Sequence, residues 1–549
     1  VTASGNASAG SSLAWWRSAA IYQVYIRSFA DSNGDGIGDL AGVRSRLPYL
    51  AELGIDAIWF TPWYPSPMDD GGYDVADFRG IEPTFGTLDE AETLIAEAHA
   101  LDIRVIIDIV PNHCSDQHRW FTAALAAGPG SPERDRFWFR PGRGEGGNEP
   151  PNDWPSRFGG SAWTRVTEPD GSPGEWFLHL YSSRQPDFNW ENPEIRAEFE
   201  GILRFWFDRG VDGFRIDVAD GLMKDPALPN LATTGDVSSF SDLEGLHDIY
   251  RSWRKIADSY PGDRVLVAEM WLSDMFRMAR YLRKDELNSA FNFDFLVSPW
   301  NATLIRSVIE KTLDAHASVG APAAWVLSNH DVTRPVTRYG RSGDTGFDFA
   351  DRLHGTPVDR ELGTRRARAA ALLAMALPGG LYVYQGEELG LWEIEDIPDE
   401  LRQDPVFART KGADPGRDGC RVPIPWSGTE SPFAFSPADA DAEPWLPQPE
   451  SWAAYTAEAQ ANDSGSMLRL YREGLALRGS EAALGDGQLQ WHGQLADVLS
   501  FTRDPGFACL VNFSAEAVSL PEHEKVLLTS GELTDGLLPP DTAVWLRTR

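Results

Sequence analysis

Three acidic stretches carry the chemistry this chain could do: GFRIDVAD around Asp217, VLVAEMW around Glu269, and SNHDVTR around His330 and Asp331. Each sets a carboxylate at the end of an apolar run that reads as a buried strand. A carboxylate there is costly to desolvate, so three in one chain point to a shared catalytic cluster rather than to packing alone. Two carboxyl groups flanking a bond, one ionised and one held protonated by its surroundings, are what cleavage of a glycosidic bond requires. A third nearby can hold sugar hydroxyls and the positive charge that develops in the transition state. Arg215, two residues before Asp217, shares its strand face and is placed to keep a nucleophilic carboxylate ionised.

The elements that must position these groups alternate along the chain. Short Val/Ile-rich runs at 21–29, 55–62, 103–110, 213–218, 265–270, 291–297, 323–329 and 380–386 predict strands. Between them, stretches such as 88–102 and 195–210 carry the apolar spacing of amphipathic helices. Eight strands alternating with helices predict a (β/α)8 TIM barrel, in which working residues gather at the C-terminal ends of the strands. Asp217 then ends the fourth strand, Glu269 the fifth, and Asp331 follows the seventh. The rhythm breaks at 114–190, rich in Gly, Pro, Trp and Arg, which reads as a loop-rich domain inserted after the third strand. Residues 390–465 are again irregular, and from about 481 short alternating runs predict a small antiparallel C-terminal β domain. The expected organisation is barrel at 1–113 (with a loose tail at 1–14), insertion at 114–190, barrel again at 191–480, and the β domain at 481–549.

Composition narrows the partners. The 549 residues hold 49 Lys plus Arg against 82 Asp plus Glu, a net charge of −33, which repels phosphate backbones and anionic lipids. Nucleic acid and membrane partners are therefore not expected, and no apolar run reaches the ~18 residues of a membrane span. Cys114, Cys420 and Cys509 are too few and too scattered for a disulfide framework or a zinc cluster, which fits a reducing cytoplasm. The first residues have neither a basic start nor an apolar stretch, so no signal peptide is expected.

The motifs together resemble the α-amylase superfamily, glycoside hydrolase family 13, and within it bacterial α-glucosidases and oligo-1,6-glucosidases. DIVPNHCS (108–115), GFRIDVAD, VAEMW and SNHD stand in the order of the family's signatures, and QPDFNWENP (185–193) resembles the one near the end of its inserted domain. The resemblance implies that Asp217 is the nucleophile of a covalent glucosyl-enzyme, that Glu269 is the acid and then the base, and that Asp331 stabilises the transition state. It implies that His113 and His330 grip sugar hydroxyls, that Tyr73 is the stacking aromatic, and that Arg215 is the family's arginine. Asp74 and Arg417 match the acidic and basic partners that close the pocket behind a terminal glucose, with Arg421 the alternative basic residue. Glu387, in YQGEELG, is expected to border the leaving-sugar site. Double displacement implies retention, with the two main carboxyls about 5–5.5 Å apart.

The run Asp31-Ser-Asn33-Gly-Asp35-Gly-Ile37-Gly-Asp39 places oxygen ligands at alternate positions, as a hard cation requires. An EF-hand needs a bidentate Glu at its twelfth position, and Gly42 stands there. The loop instead resembles the structural calcium loop of these glucosidases, with side-chain oxygens from Asp31, Asn33, Asp35 and Asp39 and the carbonyl of Ile37. No organic cofactor is implied. The function expected from the resemblance is a retaining exo-α-glucosidase acting on maltose and short malto-oligosaccharides, with transglucosylation possible. Small α-glucosides are the expected substrates, and monomer or homodimer stays open. Val218 after the nucleophile leaves α-1,4 and α-1,6 preference open. Asp220 and Cys114 depart from the expected His and Thr. The same constellation serves sucrose- and trehalose-active transglucosidases, although NHDVTRP lacks the charged stretch of sucrose isomerases. The inert heavy chains of amino-acid transporters share the fold but lose the catalytic carboxylates, which this chain keeps.

Overall fold

The computed structural model describes residues 14–231, 238–341, 352–493 and 497–549. The tail expected at 1–14 lies almost wholly outside them.

Eight strands build the central sheet: β1 (Ala20–Val24), β2 (Ala57–Phe60), β3 (Arg104–Ile109), β4 (Gly213–Ile216), β5 (Val265–Ala268), β6 (Ser289–Ala290), β7 (Ala324–Val326) and β8 (Gly380–Tyr384). All neighbours run parallel, in the order β7-β8-β1-β2-β3-β4-β5-β6. This is a (β/α)8 barrel, with β6 and β7 as its unpaired seam among the described residues. Both faces of the sheet are buried, which is why the strands read as nearly continuous apolar runs. Ile21, Trp59, Ile106, Val265, Val267 and Tyr382 fill the interior, while Tyr22, Ile58, Val105, Phe214, Leu266 and Val383 face the helix layer.

The sixth strand departs from expectation. Phe293–Val297 is a short helix, because Asn292 accepts the backbone N–H of Phe295 at 3.0 Å and caps it; the strand is the two residues before. The outer helices start where the sequence supplies caps. Leu88–Ala100 opens on a capping box between Thr87 and Glu90, and Pro193–Phe207 opens on Asn192 with Pro193 in the first turn. Leu40–Leu53 starts on Asp39 and stops at Gly54, whose φ of 89° is a left-handed cap.

Within 114–190 lie a helix, Arg119–Ala127, and a three-stranded antiparallel sheet of Phe139–Arg140, Trp163–Thr167 and Pro173–Leu178. Of the C-terminal strands from Gln490 onward, five form one antiparallel sheet, and Val518–Ser519 and Leu537–Leu538 pair antiparallel in a second, two-stranded one. No helix among the described residues is long and apolar enough to cross a membrane. All three cysteines are buried and free.

Candidate active site

The period-two alternation of the strands decides which polar residues meet. In β3, Val105, Ile107 and Ile109 face the helices, so Asp108 faces the barrel interior. In β4, Phe214 and Ile216 face the helices, which turns Arg215 and then Asp217 inward; in β5 the same parity turns Glu269 inward after Val265 and Val267. Register puts Asp108 beside Arg215. The ladder continues past the strand ends, with Asp217 N–H donating to Ile109 O and Glu269 N–H to Ile216 O, both at 2.9 Å. The expected strand-end positions of both carboxylates thus follow from backbone pairing.

Arg215 is the hub. Its Nη1 donates to Asp108 Oδ1 and to Asp217 Oδ1, each at 2.7 Å, and its Nη2 lies 2.8 Å from Glu269 Oε2. The two expected catalytic carboxylates therefore sit on one guanidinium. Burial pushes the Asp217 carboxyl well up; Arg215 opposes this, and the charges of Glu269 and Asp108 add to it. Burial likewise pushes Asp108 up to about 7 against the pull of Arg215. Burial and the mutual repulsion of carboxylates around one guanidinium thus both favour the protonated forms of Asp217 and Asp108, and Arg215 opposes them. Val218, between the two, has φ 48°, a left-handed conformation rare for a β-branched residue. It is held there by its own N–H to Glu269 Oε2 at 3.1 Å and by Ala219 N–H to Glu269 O at 2.8 Å. Such strain costs about 1–3 kcal/mol and is tolerated where it aims a functional group.

On the opposite wall, Asp331 accepts from Arg417 Nη1 at 3.1 Å and Arg421 Nη2 at 3.0 Å. Burial alone would raise its pKa; His330, Arg417 and Arg421 outweigh that and hold it well below the usual carboxylate range. Both candidate arginines thus belong to the site. Arg417 also reaches Asp70 at 2.5 Å and Asp404 at 2.6 Å. The expected partner, Asp74, is not the one used. Its carboxylate accepts from Ser66 Oγ and from the backbone N–H groups of Asp69 and Asp70, which fold the 66–74 turn and present Asp70 to Arg417 instead.

Tyr73 donates to Asp108 Oδ2 at 2.9 Å and stacks on His330, with ring centroids 5.3 Å apart. Burial lowers His330 to about 3 and His113 to about 4, so both imidazoles are neutral at pH 7. Neutral rings suit hydrogen bonding to hydroxyls.

These groups surround a small inner chamber of about 70 Å³, lined by Asp70, Tyr73, His113, Asp217, His330 and Arg417 among others. An outer cavity of about 460 Å³ shares Val218, Glu269, Asp331 and Arg417 with it and extends to Asp220, Phe240 and Trp271. Glu387 lines neither. Its oxygens accept from Tyr471 at 2.6 Å and from Ser328, and it is pushed up to about 7 by burial, so its place is structural rather than at the leaving-sugar site.

Four supporting residues were not singled out from sequence. Asp108 obeys the same strand-end rule as Asp217 and was legible by it. Asp70 lies four residues before Asp74 in the same turn, and Asp404 lies in an irregular stretch with no periodic signal. Lys224, fully buried, holds Asp187 of the insertion at 2.8 Å and Asn112 Oδ1 at 2.6 Å; Asn112 Nδ2 in turn lies 3.1 Å from His113 Nδ1.

In the 31–39 loop, Asp31 accepts the N–H groups of Asn33, Gly34 and Gly36, and Asp39 accepts that of Gly42 and caps the following helix. Asp31, Asp35 and Asp39 have no ion pair among the described residues. Burial raises Asp39, and the Asp31 charge adds to it. Among the described residues no three His, Cys, Asp or Glu side chains converge by themselves as a metal site, so a cation here would need Asn33 and the Ile37 carbonyl as well.

The model of the α-amylase catalytic domain matches residues 23–487. A probable alpha-glucosidase of Rhizobium meliloti (strain 1021) is 36% identical over 92% of this chain and 90% of its own length. A trehalose-6-phosphate hydrolase of Escherichia coli (strain K12) is 36% identical over 87% of this chain and 86% of its own. Among solved structures, the alpha-glucosyl transfer enzyme XgtA is 34% identical, with a TM-score of 0.84 over 98% of this chain and all of that one.

Proposed function

Because this chain belongs to the α-amylase family of glycoside hydrolases, we propose that it is a retaining exo-α-glucosidase releasing single glucose units from maltose and short α-1,4 malto-oligosaccharides. The observation that carries the reading is the inner chamber, walled by the Arg417–Asp70 pair and opening toward the outer cavity past Glu269. A chamber stopped behind one sugar favours exo action, and the outer cavity takes the leaving sugar.

In this reading the terminal glucose enters with its hydroxyls toward Asp331, His330, His113, Asp70 and Arg417. Asp217 attacks C1 while the C1–O bond to the leaving sugar breaks and Glu269 gives that oxygen its proton. The excess of carboxylates over guanidiniums around C1 stabilises the positive charge of the oxocarbenium-like transition state. Glu269, now ionised, takes a proton from water; the resulting oxygen nucleophile attacks C1 and expels Asp217, giving α-glucose. A second sugar in place of water gives transglucosylation.

The α-1,4 assignment competes with α-1,6 and with sucrose- or trehalose-active transfer, and Val218, next to the nucleophile, is among the side chains that line both chambers. Product analysis with maltotetraose tests exo action: glucose plus maltotriose is expected, and maltose as the first product refutes it. Faster turnover of isomaltose than maltose refutes the linkage. The 31–39 loop is proposed as a structural calcium site, since its unpaired carboxylates and alternate oxygens suit a hard cation. The cytoplasm is proposed as its compartment, on three free cysteines.

A further inference from the structure

We propose that Arg409 is a positioning residue that fixes the 156–160 turn of the insertion, so that the Phe158 ring packs on the bound glucoside; this rests on the glucosidase reading. Phe158 is half-buried and lines both the inner chamber and the outer cavity. The reaction described above gives neither residue a task.

Two contacts hold the ring itself. Tyr181 meets it edge-on with centroids 5.4 Å apart, and the Arg417 guanidinium stands 5.5 Å from its centroid. The main chain beneath the ring is held by Arg409, whose Nη2 donates to Gly159 O at 2.6 Å and whose Nε donates to Phe158 O at 3.3 Å. A planar guanidinium fork suits two neighbouring carbonyls in this way. Among the described residues, these are the hydrogen bonds that join the turn to the segment after β8. The other bonds of the turn stay within the insertion: Ser156 N–H donates to Gly160 O at 2.9 Å, Arg157 N–H to Leu180 O at 2.7 Å, and Ser156 Oγ to Tyr181 O at 2.8 Å. Gly159 reverses the chain at φ 89°, and the space a Cβ would take there is open, so packing does not hold the turn at that point.

Arg409 is itself well placed. It ends the helix Pro405–Arg409, which starts on Asp404, whose Oδ1 accepts Val406 N–H at 2.9 Å. The other oxygen of that carboxylate accepts from Arg417 Nε at 2.6 Å. One buried acid therefore sets both arginines that flank Phe158. Asp69, the carboxylate whose charge acts on Arg409, lies 3.6 Å from Arg184 instead, and Arg409 forms no ion pair among the described residues. Its donors serve the two carbonyls.

Contact between an apolar ring and a sugar is present before the bond breaks and while it breaks, so its loss raises KM and leaves kcat. Arg409→Met keeps the apolar stem and removes the donors. Its KM for maltose is expected to rise about 10-fold, with kcat within about twofold of wild type. Phe158→Ala should move KM in the same direction. In the Phe158→Ala background, Arg409→Met should add less than about twofold, because it acts through the ring. A merely structural Arg409 lowers the active fraction, and so kcat at constant KM. That result, a KM within about twofold of wild type, or effects that multiply in the double variant, overturns the proposal. Should Arg409→Met fail to fold, Arg409→Lys keeps the charge without the fork that spans both carbonyls; KM should rise there too, and an unmoved KM overturns the proposal equally. A folded wild type that turns over neither maltose nor isomaltose overturns the glucosidase reading and this proposal with it, whereas wild-type turnover with an unmoved KM in the variant refutes the role of Arg409 alone.

Discussion

Replacing Arg215 with Met removes the one cation that Asp108, Asp217 and Glu269 share, at contacts of 2.7, 2.7 and 2.8 Å, and leaves the carboxylates buried. Breaking a buried pair by deleting one partner costs about 3–5 kcal/mol. Assigning about 3 kcal/mol of that to Asp217 raises its pKa by roughly two units, at about 1.36 kcal/mol per unit. The ionised nucleophile then becomes scarce at neutral pH, and kcat/KM falls about 100-fold from ionisation alone. Stability has a defined pH dependence. Asp217 and Asp108 already hold their protons more tightly folded than unfolded, so their burial is tolerated at low pH and costs stability as pH rises toward their raised values. Removing Arg215 raises both further. The pH-dependent part of the deficit of Arg215→Met against wild type is therefore absent below the wild-type folded values and opens above them, from about pH 7 for Asp108. Urea unfolding at several pH values, with a pH–rate profile on p-nitrophenyl α-D-glucopyranoside, reads both effects. A deficit equal at pH 4 and pH 8, together with an unshifted acidic limb, refutes the reasoning.

Three further outcomes are expected. Asp70→Asn breaks the pair behind the inner chamber, and on the exo reading it raises KM more than it lowers kcat, by about 1.5–3 kcal/mol in kcat/KM, read from maltose kinetics. Lys224→Met leaves Asp187 charged and buried without its partner, so chemical unfolding should show a loss of about 3–5 kcal/mol, and a loss under 1 kcal/mol contradicts the lock between insertion and barrel. Chelation with EDTA should lower the Tm and added calcium restore it if the 31–39 loop holds a cation, with Asp35→Ala abolishing the difference; an unmoved Tm contradicts the calcium proposal.

Most of the barrel was legible because a parallel strand buried on both faces is an apolar run whatever its neighbours. The sixth strand was not, because FNFDFLV is apolar enough for either state and the decision falls to one side-chain cap at Asn292. Asp217, Glu269 and Asp331 could be singled out as strand-end acids; the meeting of Asp217 and Glu269 on Arg215 follows from backbone register and parity, whereas Asp331 meets Arg417 and Arg421 of an irregular stretch. Asp70 and Asp74 could not be told apart, since both sit in one Gly-rich turn and only its folding shows which carboxylate is consumed by backbone N–H groups. Glu387 misled for a related reason: being near a strand end does not say which side of the barrel a turn residue faces, and Tyr471 and Ser328 hold it away from the cavity. Asp404 comes from the irregular 390–465 stretch, where a long-range contact with Arg417 leaves no local pattern.

The most direct test of the proposed reaction is the anomer first released from maltose, followed by proton NMR before mutarotation, with Asp217→Asn as the control. α-Glucose appearing first in the wild type and lost in the variant is the predicted result. β-Glucose appearing first, or full activity in Asp217→Asn, would contradict it.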